Sequence, residues 1–233
     1  MELQPEQDAP HHRYERIVTW VPLPLSIVFI LTMASDRFRP FLSPFLHENG
    51  PLELATFVVS LCAAYFGLRL ALARRKTAPW LQTLFFWLFG MGLLLVSLEE
   101  IAWGQSFFGF ASPEYFEDHN IQGETTLHNL GGAHGYSHYL YLWFFLGGLL
   151  GTYLPKKILG ELRVPAIAVP TLWIIGILTG LEFLILNFDL DWAQRGIGRK
   201  APELIEFWVA WVGFLYCGTI WLKLSPCKPA NSA

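Results

Sequence analysis

The sequence predicts an all-α integral membrane protein, a bundle of six transmembrane helices with a short interfacial helix in the third, outer connection. Of the 233 residues, 53% are hydrophobic and only 15% are charged, whereas about a quarter of a soluble domain is charged. Charged residues are also missing from long blocks, such as residues 79–98. A spanning helix needs about 20 mostly apolar residues, and six blocks of the chain meet that requirement.

The six predicted spans lie in one membrane domain that covers residues 1–233, with a polar tail at 1–16 and a short tail at 223–233. The spans are 17–34, 52–73, 79–101, 134–154, 165–187 and 203–222. Ser112-Pro113-Glu114 is typical of a helix start and stands among phenylalanines, so it predicts the interfacial helix. The three cysteines have no C-x-x-C spacing, which argues against a disulfide framework.

The orientation follows from the lysines and arginines, because loops on the cytoplasmic side carry more of them. The two tails and the even-numbered loops hold ten: Arg13, Arg16, Arg74, Arg75, Lys76, Lys156, Lys157, Arg163, Lys223 and Lys228. The opposite side holds five: Arg37, Arg39, Arg195, Arg199 and Lys200. We therefore expect a multi-pass protein, as in a bacterial inner membrane, with both termini cytoplasmic. Most acids and histidines then face outward.

Several glutamates are expected to be helix-start residues. Pro51 precedes Glu53, Pro113 precedes Glu114 and Pro202 precedes Glu203. Proline in the first turn is common, and the helix dipole favours an acid there. Glu206 lies one turn beyond Glu203, and its role is open between structure and function.

Three other glutamates do not fit this explanation. Glu99 and Glu100 stand at the carboxyl end of the third span, where the helix dipole disfavours anions. Glu182 follows eighteen uncharged residues, 164–181. An acid within an apolar span indicates a functional site by default. We expect Glu182 and at least one of Glu99 and Glu100 to point into a polar site, while protonated structural acids or pairing with outer arginines remain alternatives.

The outer connection contains a possible metal site. No lysine or arginine occurs between Thr77 and Pro155. Glu124 and His128 are four residues apart, as are His134 and His138, so each pair would share one face if helical. Glutamate and histidine suit zinc or iron. The spacing matches no known metal motif, and solvated histidines or a haem or pigment ligand remain alternatives.

These observations lead to three functional hypotheses. The first is a metal-dependent membrane enzyme acting on a lipid-like substrate, with Glu124, His128, His134 and His138 as ligands and Glu99, Glu100 and Glu182 as catalytic groups or further ligands. Bound zinc would activate water for hydrolysis, whereas iron would favour oxidation. The second is a non-enzymatic accessory subunit of a larger respiratory or photosynthetic membrane complex. The third is a proton- or cation-coupled transporter using Glu182 and Glu206. Membrane lipids are expected partners, and no nucleic-acid-binding module is present.

Overall fold

The structure, a computed structural model, describes residues 15, 17–47, 50–120, 123–127, 129–131, 137–188, 190 and 193–224. Within these residues there are helices and no strand; the one β-type pairing is an isolated antiparallel bridge between Asn120 and Leu130. The expected all-α class is therefore confirmed. Seven helices are labelled: α1 Pro22–Ala34, α2 Pro51–Arg74, α3 Trp80–Glu99, α4 Glu114–His119, α5 Ser137–Tyr153, α6 Val169–Asn187 and α7 Arg199–Leu224.

Five segments of the described residues are long and apolar enough to cross a membrane. They are Ile17–Ala34, Pro51–Arg74, Trp80–Glu99, Ala166–Asn187 and Gly196–Leu224. These five overlap the first, second, third, fifth and sixth predicted spans. The chain is therefore multi-pass in character.

The predicted fourth span, 134–154, corresponds to α5, and its first residues, 134–136, lie outside the described residues. With 17 residues, α5 is about 26 Å long at 1.5 Å per residue, slightly less than the roughly 30 Å hydrocarbon layer. It runs antiparallel to α6, since His138 lies beside Phe183 and Phe145 beside Gly176. The presence of six membrane spans and the position of α4 at the membrane interface stay predictions.

The sixth span starts earlier than the sequence suggested. A π-helical turn, Gln194–Gly198, leads directly into α7, which begins at Arg199 and contains Pro202. Proline is tolerated there because the first four N–H groups of a helix have no intrahelical acceptor. The helix-start interpretation of Glu203 is therefore wrong, since that residue lies beyond the first turn. Glu53 and Glu114 do stand in the first turns of α2 and α4.

The bundle is organised around α2, α6 and α7. Helix α2 packs against α3 on one side and α7 on the other, and α6 contacts α7, α5 and α1. The α2–α3 crossing is close because a Cβ on Gly67 would stand only 3.0 Å from the Cα of Gly90, a small-residue contact that membrane helices favour. Large side chains such as Trp80, Leu88 and Trp143 are exposed on the outside, as expected of a lipid-facing surface.

The bundle has two ends. The first, called the loop end, contains the end of α3 and the starts of α2, α5 and α7. The tail end is where α7 finishes at Leu224 and α3 begins. Between them, the core contains fully buried side chains of α6 and α7, including Leu172, Ile175, Ile205 and Trp208.

Candidate functional site

Helix α3 ends in a strained turn. Ala102 and Trp103 have φ values of 46° and 57°, and Gly104 follows at 94°. Left-handed backbone costs about 1–2 kcal/mol for a residue other than glycine, and such strain persists only where surrounding contacts enforce it. The turn follows Glu99 and Glu100, which are consecutive at the end of α3. Neighbouring residues of a helix point about 100° apart, so these two carboxyl groups have different surroundings.

Glu99 binds the segment that follows the turn. Its Oε1 accepts a hydrogen bond from Trp103 Nε1 at 2.6 Å, and its Oε2 accepts one from the backbone N–H of Leu127 at 2.6 Å. Both hydrogen bonds are short. Glu99 therefore fastens the outer connection to the end of α3.

The connection itself is folded into a compact cap, defined by the described residues 102–120, 123–127 and 129–131. Ser112 Oγ donates to the carbonyl of Gly123 at 2.6 Å, and Gln105 Oε1 accepts from the N–H of Thr125 at 2.9 Å. Asn120 Nδ2 donates to the Thr126 carbonyl at 2.8 Å, and both side chains are buried. Polar side chains of the cap thus satisfy backbone groups at Gly123, Thr125 and Thr126.

Glu100 faces the opposite way, into the bundle. Burial raises the pKa of this carboxyl group to about 10, with further contributions from the carboxyls of Glu206, Glu53, Glu203 and Glu99, in that order. Both effects disfavour the charged form. Glu100, the first residue after α3, therefore carries a proton at neutral pH and can donate a hydrogen bond.

These interactions define a group of side chains from five segments, named here the Glu206 cluster. Its members are Glu53 of α2, Glu100 after α3, Tyr141 of α5, Glu182 of α6, and Glu203 and Glu206 of α7. Glu206 is at the centre, because it interacts electrostatically with Glu100, Glu182 and Glu203. The Tyr141 hydroxyl donates a hydrogen bond to Glu206 Oε1 at 2.5 Å.

Lys200 brings a positive charge to the edge of this cluster. Its Nζ lies 3.6 Å from Glu203 Oε1 and also donates to the carbonyl oxygen of Leu46 at 2.5 Å. Lys200 stands one turn before Glu203 on α7, so the pair shares a helix face. The ammonium therefore balances the rim of the cluster, on the side of Glu203.

Glu182 is the most buried acid of the cluster. Its side chain is 4% exposed, and within the described part of the chain its Oε2 has no hydrogen-bond partner. A buried carboxyl oxygen without a partner is unfavourable, and such an atom usually marks a bound water or ion. Since Glu182 interacts electrostatically with Glu206, its free oxygen belongs to the cluster interior.

The predicted metal ligands are only partly described. Glu124 lies in a bend and is half-buried in the cap, so Glu124 does not have the helical conformation under which it would share a face with His128. His138 is the second residue of α5, and its ring centroid lies 6.2 Å from that of Phe183. His128 and His134 lie outside the described residues. Among the residues that are described, no group of three or more histidines, cysteines or acids is arranged to hold a metal.

The structure assigns cluster positions that sequence reasoning missed or misread. Glu53 and Glu203 were interpreted as helix-start acids, yet both interact with Glu100. The spacing of Glu203 and Glu206, one turn apart, was the available signal. Tyr141 gave no signal, because a tyrosine near the start of an apolar helix is typical of a membrane boundary.

Comparisons with known proteins gave no relative: no family model matches the chain, and no curated protein or solved structure matches it. The site is therefore interpreted from its own chemistry.

Proposed function

We propose that this protein transfers a proton, or another small cation, through its helix bundle and works as a proton- or cation-coupled transporter. The observation that carries the proposal is Glu182, a buried carboxyl whose Oε2 has no partner among the described residues, beside Glu206. Ionisable groups within membrane helices mark ion pathways and proton relays. In this proposal the Glu206 cluster is the binding site for the proton or cation.

Two buried hydroxyl groups on α6 support a proton route from this binding site towards the tail end. Thr179 and Thr171 lie three and eleven residues before Glu182, on the same side of the helix. Both are buried, and among the described residues neither Oγ1 has a hydrogen-bond partner. Other helical threonines do bond to the preceding turn, as Thr56 does to the Leu52 carbonyl at 3.0 Å.

Water molecules beside these hydroxyls would satisfy them, because buried unpaired polar atoms are the usual partners of internal water. The line from Thr171 to Glu182 covers three helical turns, about 17 Å along α6. That is more than half of a hydrocarbon layer roughly 30 Å thick. A proton on the cluster would pass between Glu206 and Glu182 and then along this line.

The cluster has the chemistry to hold and release one proton. Carboxyl groups that interact electrostatically disfavour each other's ionisation, so they titrate as a coupled set. Glu100 retains its proton at neutral pH, while Tyr141 orients Glu206 through its hydrogen bond. The exchangeable proton is then the one shared by Glu182 and Glu206.

Proton flux into proteoliposomes tests the proposal. Purified full-length protein is reconstituted with an internal pH-sensitive dye, and a potassium diffusion potential drives influx. We expect dye acidification with the wild type and at least a tenfold lower rate with Glu206→Gln or Glu182→Gln. Glu114→Gln is the matched control, because Glu114 is an exposed acid of the cap. Wild-type vesicles as tight as protein-free vesicles to protons, sodium and potassium would overturn the proposal.

A metal-dependent enzyme acting on a lipid-like substrate is the second candidate. One observation favours it: Glu99 holds the N–H of Leu127, so the cap segment that contains Glu124 is fixed at the end of α3, next to Glu100. In this alternative zinc or iron would be bound by Glu124, His128, His134 and His138. Metal analysis of the purified wild type and of a His128→Ala, His138→Ala variant tests it. A wild type without stoichiometric metal would exclude it.

The orientation is also part of the proposal. The count of arginines and lysines predicts that both termini are cytoplasmic and that the Glu206 cluster lies towards the outer face of a bacterial inner membrane. Protease accessibility of a C-terminal tag in sealed cells and in inverted vesicles tests this: the tag should be cleaved only in inverted vesicles.

A further inference from the structure

The tail end of the bundle contains a cavity of about 480 Å³. It lies where α5 ends, where the connection 156–166 crosses, and where α7 ends. The cavity has an apolar wall, with Val164, Pro165, Ile220 and Leu224, and a basic rim, with Lys156, Arg163 and Lys223. Its size is in the range of pockets that bind small molecules.

The connection that forms this cavity is fixed by several hydrogen bonds. The Tyr216 hydroxyl donates to the Leu162 carbonyl at 3.0 Å, and the Val164 N–H donates to the Gly151 carbonyl at 2.9 Å. Arg163 Nε donates to the Thr152 carbonyl at 3.3 Å, which holds the guanidinium on the cavity wall. The cavity is therefore formed before any ligand arrives.

The three cations of the rim are available to a ligand. Lys156, Arg163 and Lys223 are exposed. Lys156 and Arg163 belong to the connection 156–166 and Lys223 belongs to α7, so the fold brings two separate segments together at the rim. Three cations around one cavity attract an anion, and arginine in particular suits phosphate.

The outer surface beside the cavity is apolar. Leu222, Ile158 and Tyr153 are each at least 66% exposed, as expected of side chains that contact acyl chains. A ligand in this position would therefore meet positive charge at its head and hydrocarbon along its tail. That combination is the chemistry of a phospholipid.

We propose that this cavity is a binding site for an anionic phospholipid, with the phosphate of the headgroup between Arg163 and Lys223 and the acyl chains along α7. Basic pockets between helices on the cytoplasmic side of a membrane are known to bind such headgroups. The proposal is independent of the function of the Glu206 cluster, which lies at the opposite end of the bundle.

Native mass spectrometry of the full-length protein in neutral detergent tests the site. Palmitoyl-oleoyl phosphatidylglycerol is titrated in, with phosphatidylcholine of the same chains and inorganic phosphate as separate arms. We expect saturable binding of phosphatidylglycerol, at least tenfold weaker binding of phosphatidylcholine, and at least a tenfold loss of phosphatidylglycerol affinity in Arg163→Gln, Lys223→Gln.

Arg75→Gln, Lys76→Gln is the matched control, since both residues are exposed cations at the tail end outside the cavity. An equal loss of affinity in this control, or binding of phosphatidylcholine as tight as that of phosphatidylglycerol, would overturn the proposal. So would phosphate that competes fully with the lipid, because the site would then be one for a free anion. Ile220→Trp fills the cavity without changing the charge and should cause the same loss, which keeps the test valid if the charge variant fails to fold.

Discussion

The two ends of the bundle differ in the sign and the exposure of their ionisable side chains. At the loop end, Glu100 and Glu182 interact with Glu206, while Glu99 holds the cap, whose own segments are joined by hydrogen bonds. At the tail end, Lys156, Arg163 and Lys223 are exposed around an open cavity. Long basic side chains can reach the headgroup region at little cost, whereas a short carboxyl group within a bundle needs a proton, a cation or a donor. The loop end therefore contains the candidate functional acids, and the tail end contains the cations that can contact lipid headgroups.

The largest expected effect is a dependence of stability on pH that arises at the loop end. Glu100 has a pKa of about 10 in the folded protein against an ordinary value of 4.5, so the folded state keeps a proton that the unfolded chain releases. The free energy of unfolding should be highest below pH 4.5 and fall as the pH rises to 10, by at most about 1.4 kcal/mol per pH unit. Thermal unfolding in detergent measures it.

Glu100→Gln should flatten this profile, because glutamine is the neutral isostere of the protonated acid. Glu117→Gln, which changes an exposed acid of α4, should leave the wild-type slope unchanged. A Glu100→Gln protein with the same slope as the wild type would show that other groups cause the pH dependence.

The next effect concerns the attachment of the cap. Glu99→Ala removes the acceptor of two short hydrogen bonds, from Trp103 and Leu127. Hydrogen bonds contribute about 0.5–1.5 kcal/mol each, so we expect the two losses to weaken the attachment of the cap by about 1–3 kcal/mol. Hydrogen exchange of the Leu127 amide should accelerate at least tenfold, with α2 and α3 unaffected. Exchange that stays at the wild-type rate would mean that other contacts hold the cap.

A smaller effect, of opposite sign, is expected at Glu182. Replacing it with leucine removes a buried oxygen that has no partner among the described residues, so the variant should gain about 1–2 kcal/mol of stability while losing proton flux. Both are measurable on one preparation, by thermal unfolding and by the vesicle assay. A less stable Glu182→Leu protein would indicate that the carboxyl group has a structural partner.

The smallest effect belongs to the tail end. The Arg69 guanidinium lies 5.3 Å from the ring centroid of Trp221, and an exposed cation–π contact contributes about 0.5–1 kcal/mol. Arg69→Ala should lower the unfolding free energy by that amount, with Arg69→Lys between it and the wild type. A loss as large as that of Glu99→Ala would remove the contrast between the two ends.

The sequence by itself predicted the all-α class and six spans. Five of these coincide, to within a few residues except at the start of the last one, with helices that are long and apolar enough to cross a membrane. The reason is that a hydrocarbon layer requires long apolar blocks, which can be counted. The same count isolated Glu99, Glu100 and Glu182 as acids that helix-start chemistry does not explain. The predicted start of the last span is too late, because a proline later in the first turn of a helix cannot be distinguished by sequence from one at the first position.

Only the tertiary structure decided which of these acids meet. Glu99 and Glu100 are adjacent, and nothing in the sequence distinguishes them, but in the structure Glu99 binds the cap and Glu100 interacts with the acids of the bundle. Tyr141 and Glu206 are 65 residues apart, and their hydrogen bond exists because α5 and α7 pack at the same depth. The long apolar blocks indicate which residues can enter the membrane, while the positions of helices around each other depend on packing between distant segments.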